Sequence, residues 1–164
     1  MTTVSELIEK LTARSEGNLH DVSHFMKVYA YARTIGIREG LDPETQETLE
    51  TAAVVHDIAC PLCREKYGNT NGKAQEREGA PMAKAFLLEC GVPEARADRA
   101  AWLTGHHHTY EGTDGPDHQI LLEADYLVNA EESGYSKENI RRALQTLFRT
   151  KTGRALLTTL YLTQ

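Results

Sequence analysis

The sequence predicts an all-α protein with a single domain. Apolar residues recur at helical spacing along most of the 164 residues, and no run alternates apolar and polar β-branched residues as a half-buried strand would. Hydrophobic residues make up 40% of the chain and charged residues 26%, which is the balance of an ordinary globular protein. Because no interior stretch is loose enough to separate two cores, we expect one domain over residues 1–164.

The first two predicted helices are separated by a glycine. Apolar residues at spacings of three and four predict a short helix over residues 4–11, and Gly17 ends it. Asp21 or Ser23 is expected to cap the second helix, because short polar side chains accept hydrogen bonds from the free amides of a first turn. Gly40 stops that helix, since glycine readily takes the left-handed conformation of a C-terminal cap.

The third helix has the strongest start signal in the chain. Asp42 stands at the cap position, Pro43 at the first helical position and Glu44 in the first turn. This helix is expected to run to Ile58. From Leu49 onward it becomes apolar on every side, which predicts that its C-terminal end is buried.

Polar loops that contain glycine divide the rest of the chain. The predicted segments are a loop at 67–72, a helix at 73–89, a helix at 93–105, a loop at 110–117, a helix through 120–128 and C-terminal helices within 136–162. We expect the C-terminal helices to pack on a core of about residues 20–130.

Charge and cysteine content exclude several classes of protein. The net charge of −6 is spread along the chain, with no basic block to bind double-stranded nucleic acid. The first residues lack a secretory signal and no apolar run approaches the ~18 residues of a membrane span, so we expect a cytoplasmic protein. Cys60 and Cys63 form a CxxC without a second pair, and we interpret them as small residues in a loop after a helix rather than as a zinc or redox site.

Two histidines and two aspartates suggest a metal site. His56 and Asp57 are adjacent at the end of the apolar third helix, where two ionisable groups are costly to bury unless a cation neutralises them. Taken alone, the pair could be a helix-terminal histidine beside a surface aspartate. His24 lies early in the second helix, and Asp125 interrupts an apolar stripe, where it could also hydrogen-bond a neighbouring helix end. Together the four residues form a two-His, two-Asp ligand set.

The order His, then His-Asp, then Asp on successive helices resembles the HD superfamily of metal-dependent phosphohydrolases. The matching segments are residues 24–36, 52–58 and 123–128. The resemblance implies an HD-type helical bundle in which His24, His56, Asp57 and Asp125 bind one or two divalent ions, from among Mn, Mg, Fe, Co, Ni and Zn. It also implies hydrolysis of a phosphomonoester, phosphodiester or nucleotide by a metal-activated water, with Asp57 both binding the metal and orienting that water.

The resemblance favours His24 over His20 as the first ligand. The family pattern places this ligand three residues before a basic residue and four before a valine, as Lys27 and Val28 stand here. His20 would share the face of His24 on a continued helix, but a loop or capping role is at least as consistent with its position.

The run of three histidines at residues 106–108 contributes at most two side chains to one site, because consecutive residues point in different directions. The resemblance selects His106, three residues after an apolar residue, and His107 as catalytic residues or contacts of a second metal. His108 and His118 are expected at the surface. Gln75 stands where relatives with two metals carry a histidine, which argues against a histidine-rich second site.

Other polar residues near these positions complete the candidate site. Lys73 and Glu76 are candidates for a second metal or for the substrate phosphate, and Glu78 is an alternative carboxylate. Lys66 and Arg77 are further cations that could face a phosphoryl group.

We expect a small phosphorylated metabolite or a nucleotide as the substrate, since a mildly acidic helical protein offers no surface for a polymer. The loop at 67–72 either contacts a base or sugar or is a plain solvated turn. Two rival functions are a di-iron oxygenase on the same scaffold and a binding or signalling module without turnover. Gln75 argues against the first, and the intact ligand set argues against the second, because buried carboxylates without a metal are costly.

Overall fold

The protein is all-helical, as predicted, over the residues that the computed structural model describes, 1–163. The helices are α1 (Val4–Arg14), α2 (Leu19–Glu39), α3 (Pro43–Val55), α4 (Cys60–Tyr67), α5 (Gly72–Glu89), α6 (Glu94–Thr104), α7 (Gly115–Glu132), α8 (Lys137–Thr146) and α9 (Lys151–Tyr161). Within that range, none of the helices combines the length and the apolar character that crossing a bilayer requires.

Helix α2 lies at the centre of the fold and packs on both α3 and α7. Its buried stripe carries Val28, Ala32 and Ile35, which follow helical spacing and are shielded from solvent. Each large aliphatic side chain buried in this way contributes roughly 1.5–3 kcal/mol. His24 lies one turn before Val28 on the same face of α2, so the packing that holds this helix also directs His24 into the interior.

Helix α7 is buried on most of its sides. It contacts α2, α3 and α9, and its buried residues include Leu121, Leu127 and Val128. Asp125 lies among these apolar residues with 3% of its surface exposed. Because a carboxylate in such a position loses its hydration, it needs partners inside the protein.

The C-terminal helices contact this core at defined points. Leu157 of α9 is fully buried, and the Tyr161 hydroxyl donates a hydrogen bond to the Leu127 carbonyl at 2.8 Å. The buried Glu123 carboxylate accepts hydrogen bonds from the Thr150 hydroxyl and from the backbone amides of Arg149 and Thr150, so it holds the start of α9 against α7.

The start of α2 differs from the prediction. The helix begins at Leu19, and the side chain of Asn18 caps it by accepting a hydrogen bond from the Asp21 amide. Neither Asp21 nor Ser23 is the cap, because Asn18 supplies the same chemistry earlier in the chain. The predicted stop is confirmed: Gly40 is the C-cap, with a φ of 76° that favours glycine.

The end of α3 also differs from the prediction, with consequences for the site. The helix ends at Val55 rather than Ile58, and His56 is its C-cap. A turn follows, and Pro61 lies in the first turn of α4, where its missing amide costs nothing. Cys60 and Cys63 are therefore helical and buried, and the prediction that they lie in a loop is wrong.

Two later helices begin somewhat earlier than predicted. Helix α5 starts at Gly72, where the Asn71 side chain caps it by accepting from the Lys73 amide. Helix α7 starts at Gly115, within the segment predicted as a loop. Thr70, in the polar segment before α5, lines the same cleft as His24 and Asp57.

Candidate metal centre

Four side chains from separate parts of the chain meet inside the bundle. His24 comes from α2, His56 and Asp57 from the end of α3 and its turn, and Asp125 from α7. His24 Nε2 lies 3.2 Å from His56 Nε2 and 3.1 Å from Asp57 Oδ2. Asp125 Oδ1 lies 3.2 Å from His24 Nε2 and 3.5 Å from His56 Nε2. The Nε2 atoms of both histidines and an oxygen of Asp57 lie within 4.8 Å of one another, and Asp125 Oδ1 lies beside the two nitrogens.

The hydrogen bonds on the outer side of the two imidazoles determine their tautomers. His24 Nδ1 lies 2.8 Å from a carboxylate oxygen of Glu132, and His56 Nδ1 lies 2.7 Å from the Ala53 carbonyl. Carboxylate and carbonyl oxygens accept hydrogen bonds, so both Nδ1 atoms carry the hydrogen. In the neutral rings the Nε2 lone pairs then face each other at 3.2 Å, an arrangement that a cation between them would stabilise.

The carboxylate of Asp125 provides an independent indication of a cation. Its Oδ1 atom is buried and accepts no hydrogen bond from any of the residues 1–163. An unpaired buried oxygen of this kind is costly. It lies 3.2 and 3.5 Å from the Nε2 atoms of His24 and His56, so either a proton on one of these rings or a cation between them must partner it. The donor set of two imidazoles and two carboxylates therefore fits a divalent metal ion.

Charges within the site reinforce this conclusion. Burial disfavours a charged His24, yet the adjacent carboxylates of Asp125 and Asp57 raise the pKa of His24 to about 11. Burial by itself would raise the pKa of both carboxyl groups, but the surrounding imidazoles hold the pKa of Asp57 and of Asp125 well below its usual range. The two aspartates are thus ionised at neutral pH and attract a positive charge into the site.

A second group of possible ligands adjoins the first through Asp57. Asp57, His107 and His108 present ligand atoms that lie within 4.8 Å of one another. His107 Nε2 is 3.3 Å from Asp57 Oδ1, and its Nδ1 donates to the Thr104 carbonyl at 2.7 Å. Asp57 therefore lies between two sets of histidines and could contact a cation in either.

Gln75 faces the second group. Its Oε1 atom lies 3.2 Å from His107 Nε2 and 2.9 Å from His108 Nε2, while its Nε2 donates to the Thr70 carbonyl. His108 is therefore half-buried beside the site, and the expectation that it lies at the surface is wrong. Gly72 allows this packing, because a Cβ atom there would lie 3.0 Å from the His108 ring.

The structure does not bring His106 to the cluster. Its ring stacks on Trp102 at 3.9 Å between centroids, and its Nδ1 donates to the Trp102 carbonyl. His118 packs edge-on against the same Trp102 and is 1% exposed, so the expectation of a surface His118 is also wrong. His118 Nδ1 accepts from the Asp114 amide, and its Nε2 donates to the His106 carbonyl. These two histidines hold the segment before α7 in place.

Other predicted candidates are engaged elsewhere. The Glu76 carboxylate accepts hydrogen bonds from the His108 amide and the Thr109 hydroxyl. Lys66 forms an ion pair with Glu78 at 2.8 Å. The remaining candidates, Lys73 and Arg77, do not line the polar cleft described below, and Arg77 donates to the Tyr67 hydroxyl.

A polar cleft of about 220 Å³ leads to the cluster and contains a cation that was not among the predicted site residues. Arg64 of α4 lines this cleft and donates two hydrogen bonds of 2.7 Å to Asp21. His20 also lines the cleft, with its ring exposed, and lies 3.4 Å from Asp21. Pro61 is a local signal for a helix that starts near Cys60, and such a helix places Arg64 one turn after the site. The position of Arg64 could therefore have been predicted from the sequence.

An apolar cavity of about 490 Å³ lies on the other side of Asp57. Helices α1 to α5 contribute its walls, and Asp21 and Asp57 line both this cavity and the polar cleft. No local sequence pattern indicates this cavity, since its walls include side chains from five separate helices.

Comparisons with known proteins agree with this geometry. The chain matches none of the curated proteins, but its fold is similar to the crystal structure of a predicted HD superfamily hydrolase from an uncultured Thermotogales bacterium. That match has a TM-score of 0.65 and 23% sequence identity, and it covers 96% of this chain and 83% of the other. A family model, the HD domain, matches residues 21–140, a range that includes all four clustered residues. The chain therefore belongs to the HD domain family.

Proposed function

We propose that the protein is a metal-dependent phosphohydrolase that acts on a small phosphorylated substrate, such as a phosphorylated metabolite or a nucleotide. The observation that carries the proposal is the buried, unpartnered Oδ1 atom of Asp125, which faces the inward-directed nitrogens of His24 and His56. Such an arrangement is stabilised by a cation. The name of the structural relative, a predicted hydrolase of the HD superfamily, supports the same reaction class.

His24, His56, Asp57 and Asp125 would hold the metal ion. A divalent cation there would polarise a phosphoryl oxygen and make a water molecule a better nucleophile near neutral pH. Two imidazole ligands favour a transition metal such as Mn, Fe, Co, Ni or Zn over Mg.

Two residues are placed to act on the reacting groups. Asp57 lies between both sets of histidines, so its carboxylate can accept a hydrogen bond from the attacking water and orient it. Burial opposes a charged His107, but Asp57 raises the pKa of His107, and the protonated ring can donate a hydrogen bond to a phosphoryl oxygen.

Arg64 would bind the substrate phosphate from the wall of the cleft. Its guanidinium is oriented by the two hydrogen bonds to Asp21, and Asn18 in turn donates a hydrogen bond to Asp21. A guanidinium suits a tetrahedral anion because it offers several donors in one plane. The volume of the cleft, about 220 Å³, favours a small phosphate ester over a polymer.

One alternative function has specific support. The second group, formed by Asp57, His107 and His108, brings two further histidines to the site, although Gln75 stands where relatives with two metals carry a histidine. If Asp57 and the histidines of both groups held two iron ions, these would supply the oxygen-activating chemistry of an oxygenase instead of hydrolysis.

The test combines metal analysis with a reaction screen. Purified protein is analysed for bound metals and then assayed for phosphate release from nucleotides and small phosphate esters with Mn, Mg, Co and Fe. We expect metal-dependent phosphate release that is lost in Asp57→Ala and Asp125→Asn. The control Asp98→Asn changes an exposed aspartate paired with Lys84 and should retain activity. Two bound irons without phosphate release would support the oxygenase, and a metal-free, inactive protein would support a module without turnover.

A further inference from the structure

We propose that the apolar cavity beside Asp57 binds the organic group of the phosphate ester, and that this group is an aryl or short alkyl group rather than a sugar. The inference rests on the proposed phosphohydrolase activity and narrows its substrate class to phosphate esters other than nucleotides, whose phosphate is carried by a sugar.

The walls of the cavity indicate an apolar occupant. Leu11, Phe25, Val54, Met82 and Phe86 line it, each from a position on α1, α2, α3 or α5. A cavity of about 490 Å³ is large enough for a ring system or a short chain and too small for a polymer. Apolar surface of this kind is stabilised when a ligand displaces water from it.

The cavity adjoins the proposed metal centre. Asp57 and Asp21 line both the cavity and the polar cleft, while Ile58 and Pro61 line the cavity and Cys60 lines the cleft. The turn after α3 and the first turn of α4 therefore form a common wall. A phosphate ester whose phosphoryl group lies beside Asp57 in the cleft would direct its organic group past this wall into the cavity.

Three charged residues at the edge of the cavity are already paired, and the other polar side chains there include Ser15, Glu16 and Asn18, from the segment between α1 and α2. The Arg14 guanidinium donates two hydrogen bonds of 2.7 Å to Glu89 and lies 4.8 Å from the centre of the Phe86 ring. Asp21 is bound by Arg64. A sugar that entered this cavity would lose hydrogen bonds to water without replacing them at its apolar walls, so an apolar group is the better match.

The experiment measures kcat/KM for a series of alkyl phosphates from methyl to hexyl, together with phenyl phosphate and glycerol phosphate, on the metal-loaded protein. Each buried methylene should raise kcat/KM about fourfold until the cavity is filled. Glycerol phosphate should react no better than methyl phosphate. In parallel, calorimetry measures the affinity of the corresponding alkylphosphonates, which cannot be hydrolysed.

A matched pair of variants tests the location. Ala85 is exposed on α5 and lines the cavity, so Ala85→Phe should partly fill the cavity without disturbing the core. This variant should lose most of the dependence on chain length and keep its activity towards methyl phosphate. Ala95→Phe adds the same group at an exposed position of α6 that lines neither space, and it should behave as the wild type.

The outcomes separate this inference from the proposed activity. Hydrolysis at a rate independent of chain length would overturn the cavity assignment and leave the hydrolase intact. A different result is that no ester is hydrolysed, but phosphonate affinity rises with chain length in the wild type and not in Ala85→Phe. This result would support the cavity assignment and reject the hydrolase. Equal chain-length dependence in both phenylalanine variants and the wild type would also overturn the assignment.

Discussion

For each histidine of the cluster, one hydrogen bond on the side of the ring that faces away from the cluster determines which ring nitrogen faces into it. His24 illustrates this: its Nδ1 atom is bound to Glu132, which leaves Nε2 for the interior. Glu132 follows Asp125 by seven residues on α7, so two helical turns place both on the same face. The same spacing could have identified Glu132 from the sequence once Asp125 was selected.

Glu132→Gln tests this orienting role. The neutral amide still fits beside His24 but makes a weaker hydrogen bond to Nδ1, so we expect metal affinity to fall roughly 10–100-fold. Equilibrium dialysis against a metal of known concentration measures the change. Glu131→Gln is the matched control, because Glu131 is exposed and forms only a 3.4 Å pair with Lys27. Equal affinities for both variants would contradict the role assigned to Glu132.

Arg64 is the second residue whose role can be tested singly. Arg64→Gln removes the charge that would bind the substrate phosphate, and the loss of a charge-assisted hydrogen bond should raise KM roughly 10–100-fold. Steady-state kinetics at saturating metal measures this change. Arg142→Gln, which alters an exposed arginine on α8, should leave KM unchanged. An unaltered KM in the Arg64 variant would show that the phosphate is bound elsewhere.

At the scale of elements, the early end of α3 is the feature that builds the site. The helix stops at Val55, and the turn before α4 lets His56 and Asp57 both face the cluster, whereas a continued helix would separate their directions by about 100°. Helical periodicity extends through Ile58 in the sequence, so periodicity alone could not locate this end. Pro61 was the local signal of the break.

The C-cap of α2 gives a prediction at the same scale. Gly40 has a φ of 76°, and the chain turns there towards α3. Gly40→Val should destabilise the protein by about 1–2 kcal/mol, because a β-branched residue is strained in the left-handed region. Gly40→Asn should cost less, since asparagine tolerates that conformation better. Urea denaturation measures both, and equal stability of the two variants would refute the explanation.

At the scale of the whole molecule, metal binding and folding stability both depend on the protonation of the cluster residues. Without metal, His24 is protonated at neutral pH, because its carboxylate neighbours raise its pKa to about 11. This proton stabilises the folded state fully below the unfolded pKa near 6.5, and its contribution is lost as the pH rises through 11. Asp57 and Asp125 have the opposite effect, because folding lowers their pKa values. Their stabilisation of the folded state is present above the unfolded pKa of about 3.8 and is lost as the pH falls below it.

Metal binding should therefore release a proton. A metal ion must displace the proton from His24 Nε2, so about one proton should leave per metal bound at pH 7–8, and affinity should increase with pH. Calorimetric titration in buffers of different ionisation enthalpy measures this number. A binding enthalpy that is the same in every buffer would show that His24 is not a ligand.

The sequence by itself determined the fold class and selected the four residues that meet in the cluster. Helical periodicity and cap residues are local properties, and an aspartate inside an apolar stripe already implies a buried partner. Only the tertiary structure decided which of three consecutive histidines face the cluster, since His106 turns to Trp102 while His107 and His108 turn inward. It also decided the place of Arg64 and the cavity beside Asp57, because both depend on how separate helices pack, which no local pattern of residues specifies.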